Sequence, residues 1–223
     1  MRDVRTHEDV GMMYGTENLI SPASFFNPRP PAINMSGAPS LEIPLLRLAL
    51  TGTPGTGKTR LSEELRSSVE ITDLSVLAEA KGFLAQDEED GSKEIDVEGL
   101  SNILAEEWDS APDKTQLIDG HLSHLLPVDA VIVLRAHPLV IDARLHLRDY
   151  EEQKILDNVE WEMIGGPWLE LEGIDIPILE LDSGVLEPSE LSIEILNWLS
   201  RDCVPVRPVE IMDWLDDMAS QDW

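Results

Sequence analysis

A three-layer α/β domain around a mainly parallel sheet is the fold this sequence predicts, on three observations. Short apolar runs alternate with amphipathic helical stretches between residues 45 and 200. One run, Ala130-Val131-Ile132-Val133-Leu134, is apolar at every position, as a strand buried on both faces must be. The first run feeds a Gly-rich turn and then helix-favouring residues, which is the strand, loop, helix order of a phosphate-binding unit.

The elements follow in order. Leu45 to Leu50 reads as the first strand and Arg60 to Arg66 as the helix after its turn. Val69-Glu70-Ile71 makes a short second strand, and Thr72 or Asp73 can cap a helix carrying Leu74, Leu77, Ala78 and Ala80 that stops near Gly82. Residues 86 to 94 read as an exposed acidic loop, without the ordered ligand spacing of a calcium site. Asp96 to Trp108 is an amphipathic helix with Val97, Leu100, Ile103, Leu104 and Trp108 on one face. Gln116-Leu117-Ile118-Asp119 is a third strand ending in an acid, and residues 130 to 134 are the fourth. Helices are expected at about 138 to 148 and at 151 to 164, the second broken by Gly165-Gly166-Pro167. Ile176 to Leu181 is a last strand whose Pro177 favours its start or an edge, and Glu190 to Ser200 a closing helix.

Three regions result: a Pro-rich extension over 1–44, the α/β domain over 45–200, and an acidic tail over 201–223. The extension has no sustained period and reads as a leader, with a start at Met35 as an alternative. In the tail, Ile211, Trp214, Leu215 and Met218 have helical spacing, which suits either a partner-binding helix or a terminal helix packed on its own domain.

Composition narrows the function. In 223 residues, 16 Lys and Arg stand against 44 Asp and Glu, a net charge of −28 that repels phosphate backbones and anionic lipid. Non-specific nucleic-acid or membrane adhesion is excluded as the main activity. With 42% hydrophobic residues the chain can fill a core, which excludes disorder throughout. The one cysteine, Cys203, has no partner for an internal disulfide. No signal-peptide core is present, so a reducing, cytoplasmic setting is expected. Only five lysines among so many acids would further suit a salt-rich cytosol.

The chemistry is carried by Gly52-Thr53-Pro54-Gly55-Thr56-Gly57-Lys58-Thr59, a complete G-x-x-x-x-G-K-[ST] pattern between strand and helix. Backbone N–H groups of such a loop turn inward around phosphates, Lys58 reaches the β- and γ-phosphates, and the Thr59 hydroxyl ligates Mg²⁺. A second acid for that metal is expected at a strand end, and Asp119 is the candidate. Transfer of a charged phosphoryl group calls for arginines from a mobile segment, and Arg144 and Arg148 sit four apart on one helix face before an Asp149-Tyr150 break. The alternative for either is surface pairing with Asp142, Glu151 or Glu152. Arg135 is a weaker candidate, supporting the nucleotide site. His121 reads either as a group that orients water or Asp119 or as a structural histidine, and with His124 it offers two ligands with no third for zinc. No N-K-x-D stretch exists, which argues against a guanine-specific site.

These residues resemble the small adenylate-kinase-like P-loop family of archaea and eukaryotes that includes the nuclear coilin-interacting ATPase. The likeness rests on residues 50–59, Ile118-Asp119-Gly120-His121, Val131 to Arg135, Arg144-Leu145, Arg148-Asp149-Tyr150, Lys154 and Asp157 to Glu160, and spans about residues 45 to 200. It implies a five-stranded adenylate-kinase core, a monophosphate-binding segment around 72 to 110, and a short lid near 144 to 155. It implies Lys58, Thr59, Asp119, His121 and Arg148 as the working set, ATP and Mg²⁺ as ligands, and AMP as phosphoryl acceptor. It further implies ATPase activity and a part in small ribosomal subunit maturation with a basic ribosomal protein. Two positions depart from the family pattern: Asp149 stands where a glycine is expected in the lid, and Glu79 where an arginine is expected for the monophosphate, with Lys81 nearby.

Overall fold

The computed structural model describes residues 42–84 and 94–216. Five parallel strands, β1 (Arg47–Thr51), β2 (Glu70–Asp73), β3 (Gln116–Asp119), β4 (Ala130–Arg135) and β5 (Ile178–Asp182), lie in the order β2-β3-β1-β4-β5. The helices are α1 (Lys58–Leu65), α2 (Leu74–Lys81), α3 (Val97–Glu107), α4 (Pro138–His146), α5 (Glu152–Met163), α6 (Gly166–Glu170) and α7 (Pro188–Leu199). The strand direction alternates side chains between two faces, and the sequence uses both. Leu48, Leu50, Leu117, Ile132 and Leu134 pack with Leu61 and Leu65 of α1 and Leu191, Ile195 and Leu199 of α7. Ala49, Ile118, Val131 and Val133 pack with Leu74 and Ala78 of α2 and Leu100 and Leu104 of α3. Each fully buried leucine contributes roughly 1.5–3 kcal/mol over leaving it in water. These two clusters are the two interfaces between the three predicted layers, helices, sheet and helices.

The caps explain the boundaries. Asp73 accepts hydrogen bonds from the Ser75 and Val76 backbone N–H groups to start α2, and Gly82 ends it in the left-handed region. Glu187 and Glu190 form a reciprocal capping box at α7. Differences from the sequence reading are local. β2 runs two residues further, to Asp73, because β3 continues to pair with it as far as Asp119. β5 starts at Ile178, since Pro177 offers only its carbonyl, to the Val131 N–H. The glycine pair after α5 both stops that helix and begins α6, with Gly165 at φ 71 and Pro167 in the first turn. A 3-10 turn at Ser123–Leu125 was absent from the sequence reading. The outer edge of β5 is met at its start by the C-terminal segment, where the Ile178 N–H donates to Val206 O. In that segment Trp214 is buried on its own domain rather than presented to a partner. The Pro-rich extension up to residue 41, the acidic loop over 85–93 and Met218 lie outside the described residues. Among the described residues no helix is long and apolar enough to cross a membrane.

All five strands point the same way, so their carboxyl ends gather on one edge. Chain order reverses there beside β1, with β3 on one side and β4 on the other, which is where a ligand crevice opens in such sheets.

Candidate active site

The loop between β1 and α1 occupies that crevice. Gly52 has φ +134, and a Cβ there would lie 2.1 Å from the Leu134 carbonyl oxygen, so only glycine lets the loop leave β1 beside β4. Gly57 precedes α1 in the left-handed region, and α1 has no side-chain cap and no acid in its first turn. Its leading N–H groups and positive dipole end are therefore left for an external anion, unlike those of α2 and α7.

Lys58 Nζ donates to Gly52 O at 2.5 Å and to Thr53 O at 3.2 Å. Burial pushes its ammonium down to about 8, against the upward pull of Asp119 and Glu162 and with a further downward push from Arg148. Asp119, at the end of β3, takes a hydrogen bond from Ser62 Oγ at 2.7 Å. Its carboxyl is raised by burial, opposed by Ser62 and Lys58, and raised further by Asp73, which pairs with it across β2 and β3. The group that orients Asp119 is thus Ser62, a residue of α1 not singled out by the sequence. His121 is exposed, and its imidazole is shifted down by desolvation and by the Lys58 charge. Its carbonyl, rather than its ring, holds the site together, accepting Thr51 Oγ1 at 2.5 Å. His124 is buried, contacts Thr51 Oγ1 through Nδ1 at 3.1 Å, and is kept neutral by burial with a pKa of about 4.

The two candidate arginines have different positions. Arg144 reaches across to the loop, donating to Gly55 O at 3.2 Å, Thr56 O at 3.3 Å and Ser183 Oγ at 3.0 Å, and to Ser183 O at 2.7 Å. It fastens the phosphate loop to the segment after β5, while Asp142 and Glu152, offered as its surface partners, meet His146 instead. Arg148 is exposed, one residue before Asp149, whose φ of 56 is the left-handed conformation that a glycine would adopt there. Aspartate tolerates that region better than most residues, so the expected turn survives the replacement. Lys81 forms an ion pair with Glu107 of α3, and Glu79 is exposed. Arg135 is wholly buried between Glu162 and Glu180.

Beside the loop lies a pocket of about 300 Å³ lined by Gly57, Arg144, Arg148, Ser183, Val185 and Leu191 among others. Ser183 and Val185 escaped the sequence reading because they lie in an ordinary connection after β5; the small, Gly-containing Ser183-Gly184 pair at a strand end was the signal available. Thr59, exposed in the first turn of α1, and Asp119, at the end of β3, carry hard oxygen donors, which match magnesium rather than zinc. No cluster of three or more His, Cys, Asp or Glu side chains able to hold a metal occurs among the described residues. A site with one carboxylate and one hydroxyl accords with an ion that takes its remaining ligands from phosphates and water.

Residues 48–165 match the family described as AAA domain. A protein of Pyrococcus abyssi named "Putative adenylate kinase" is 37% identical over 169 residues, covering 75% of this chain and 90% of the relative. One of the same name from Archaeoglobus fulgidus is 41% identical over 150 residues, covering 66% of this chain and 75% of the relative. Among solved structures, shikimate kinase from Acinetobacter baumannii in complex with shikimate superposes with a TM-score of 0.50 at 15% identity, over 72% of this chain and 96% of that one, a likeness of fold.

Proposed function

We propose, for a chain that belongs to the AAA-domain family of P-loop proteins and to the adenylate-kinase-like group within it, that it is an ATP- and Mg²⁺-dependent nucleoside monophosphate kinase converting ATP and AMP into two ADP. The observation that carries the reading is the meeting, at one sheet edge, of the uncapped start of α1, the Lys58 ammonium and the Asp119 carboxylate, next to the pocket that Arg144 and Arg148 line. The names of the relatives support a nucleotide substrate and AMP as acceptor.

In this reading an oxygen of the AMP phosphate attacks the γ-phosphorus of ATP as the bond from that phosphorus to the β–γ bridging oxygen breaks, leaving ADP on both sides. The loop N–H groups bind the phosphate chain in place. Lys58 and Arg148 put positive charge where the transferring oxygens gain negative charge, and Arg144 holds the loop that positions them. Thr59 and Asp119 are the residues that would hold Mg²⁺, which when bound neutralises charge on the β- and γ-phosphates. In this reading His121, whose imidazole feels the Lys58 charge, orients water near the phosphates.

The net charge of −28 favours a second reading, an ATPase assembly factor for a basic small-subunit ribosomal protein with little kinase activity, since complementary charge speeds such encounters. ATP turnover with and without AMP, in high-potassium buffer with Mg²⁺ and with ADP and free phosphate measured separately, decides between them. ADP output multiplied by AMP with little free phosphate is expected. Phosphate released at the same rate without AMP would replace the kinase reading by the second one.

A further inference from the structure

One buried ion cluster touches the phosphate loop and takes no step in the chemistry above, although its Glu162 carboxylate acts on the Lys58 charge. Arg135 donates from Nε to Glu162 Oε1 at 2.5 Å, from one terminal nitrogen to Glu180 Oε1 at 2.9 Å, and from the other to the Glu162 carbonyl at 3.1 Å. Glu162, whose side chain is wholly buried, also accepts the Ala136 N–H at 3.3 Å, the Trp214 indole N–H at 3.1 Å and the Thr53 hydroxyl. Glu180 accepts the Trp168 indole N–H at 2.6 Å and the Met212 N–H at 3.0 Å. The Trp214 ring lies 5.7 Å from the Arg135 guanidinium carbon and edge-on to His137 at 5.4 Å.

Thr53 is the only residue of the loop's first half that is held at both ends by described bonds. Its hydroxyl goes to Glu162, while its carbonyl accepts Thr56 N–H at 3.2 Å, Thr56 Oγ1 at 2.8 Å and Lys58 Nζ at 3.2 Å. The torsions around it are left to glycine, with Gly52 at φ 134 and Gly55 at φ 96. A loop pivoting on two glycines needs a fixed point if its N–H groups are to keep their aim. The bond from Thr53 to a buried carboxylate supplies that point, and that carboxylate is in turn fixed by Arg135 on one side and by the C-terminal segment on the other.

We infer that Glu162 is a positioning residue for the phosphate loop, acting through the Thr53 hydroxyl, and that Trp214 couples the C-terminal segment to nucleotide binding by fixing the same carboxylate. This rests on the reading of the loop as an ATP site. A chain of hydrogen bonds is not in itself a coupling, and a double-mutant cycle is what measures one.

Truncating Glu162 itself would strand Arg135 in the interior, so the cycle uses gentler changes: Thr53→Val, which keeps the shape and removes the hydroxyl, and Trp214→Phe, which keeps a ring and removes the N–H. Dissociation constants for a non-hydrolysable ATP analogue with Mg²⁺, and for AMP, are measured by calorimetry on the full chain, with melting temperature as the fold control. Thr53→Val is expected to weaken the ATP analogue roughly tenfold and Trp214→Phe about threefold or more, AMP affinity staying within about twofold for both. The double variant is expected to bind no more weakly than Thr53→Val alone, because both changes act through one carboxylate. A merely structural role would lower the melting temperature and move both nucleotides alike, or give independent, multiplying losses, and either result overturns the inference. So do folded variants that bind the analogue as tightly as the wild type. A wild-type chain that takes up no ATP analogue overturns the underlying nucleotide reading as well, which sets that failure apart from the others.

Discussion

The buried ammonium of Lys58 is expected to give the site a sharp pH dependence. Burial brings its pKa down to about 8 from the ordinary 10.5. On the proposed kinase reading only the charged form stabilises the transferring phosphoryl group, so kcat/KM for ATP, which reports the free enzyme, is expected to follow the protonated fraction. With a pKa of about 8 that fraction is about three quarters at pH 7.5 and about one in eleven at pH 9, a roughly eightfold fall, whereas a solvated lysine would lose only about 3 per cent. The phosphates of ATP have lost their last protons below this range, so the nucleotide adds no limb of its own. Bound phosphates favour the charged lysine, and the limb in kcat at saturating ATP is therefore expected at higher pH than the limb in kcat/KM. Asp119 is the largest influence holding the Lys58 pKa up, so Asp119→Asn moves the limb to lower pH, whatever it does to the rate. The assay is initial-rate kinetics from pH 6.5 to 9.5 with circular dichroism as the fold control. A profile that stays flat to pH 9.5 in a folded protein would refute the burial argument.

Two further outcomes follow from the same structure. Arg148→Ala is expected to lower kcat by about a hundredfold or more while leaving KM for ATP within a few-fold, because the loop and Lys58 hold the ground state; unchanged turnover in stopped-flow or steady-state assays would remove Arg148 from the site. Burial holds His124 neutral in the fold with a pKa of about 4, below its ordinary 6.5, so the unfolded chain binds the proton more readily. Stability from this group is present above about pH 6.5 and is lost as pH falls towards 4, about 2 kcal/mol of it by pH 5. His124→Gln should lack that loss in urea unfolding at pH 7 and pH 5, and an identical drop in variant and wild type would contradict it. The comparison with wild type is needed because Glu170 and Glu180, raised by burial, work in the opposite sense over the same range.

What could be read from the sequence was what is local. The run from Ala130, the acid closing Gln116 to Asp119, the Asp73 cap and the Gly-rich loop each declare themselves within a few residues, and all stand where they were expected. The assignment of Arg144 to a moving segment missed its work on the loop carbonyls, since those partners lie 88 and 89 residues away in sequence. Thr53 and Glu162, 109 residues apart, meet only because the end of α5 lies against the carboxyl ends of β1 and β4, where Thr53, Arg135 and Ala136 stand. A signal for Glu162 was nevertheless present. It falls seven residues after Ile155, on the same apolar stripe of α5, and Ile155 and Glu162 are the buried residues of that helix. An acid on an inward face demands a buried partner, and Arg135, at the end of a strand apolar throughout, is the matching cation. Glu180 carries the same mark, sharing a face of β5 with the buried Ile178.

The central place of β1 imposes a timetable on a chain emerging from the ribosome. Its neighbours are β3 and β4, so Leu48, Ala49 and Leu50 must wait for some eighty further residues before both edges are paired. The Arg135 cluster waits longer still, until Met212 and Trp214 arrive to close it. The apolar layers close with Leu199 of α7, 13 residues before Met212, so at about 5–20 residues per second the nascent protein spends on the order of a second or two with those layers made and a charged seam still open beside the phosphate loop. A chain stopped ahead of Met212 would keep that seam, with Glu180 and Glu162 lacking the N–H donors that Met212 and Trp214 supply.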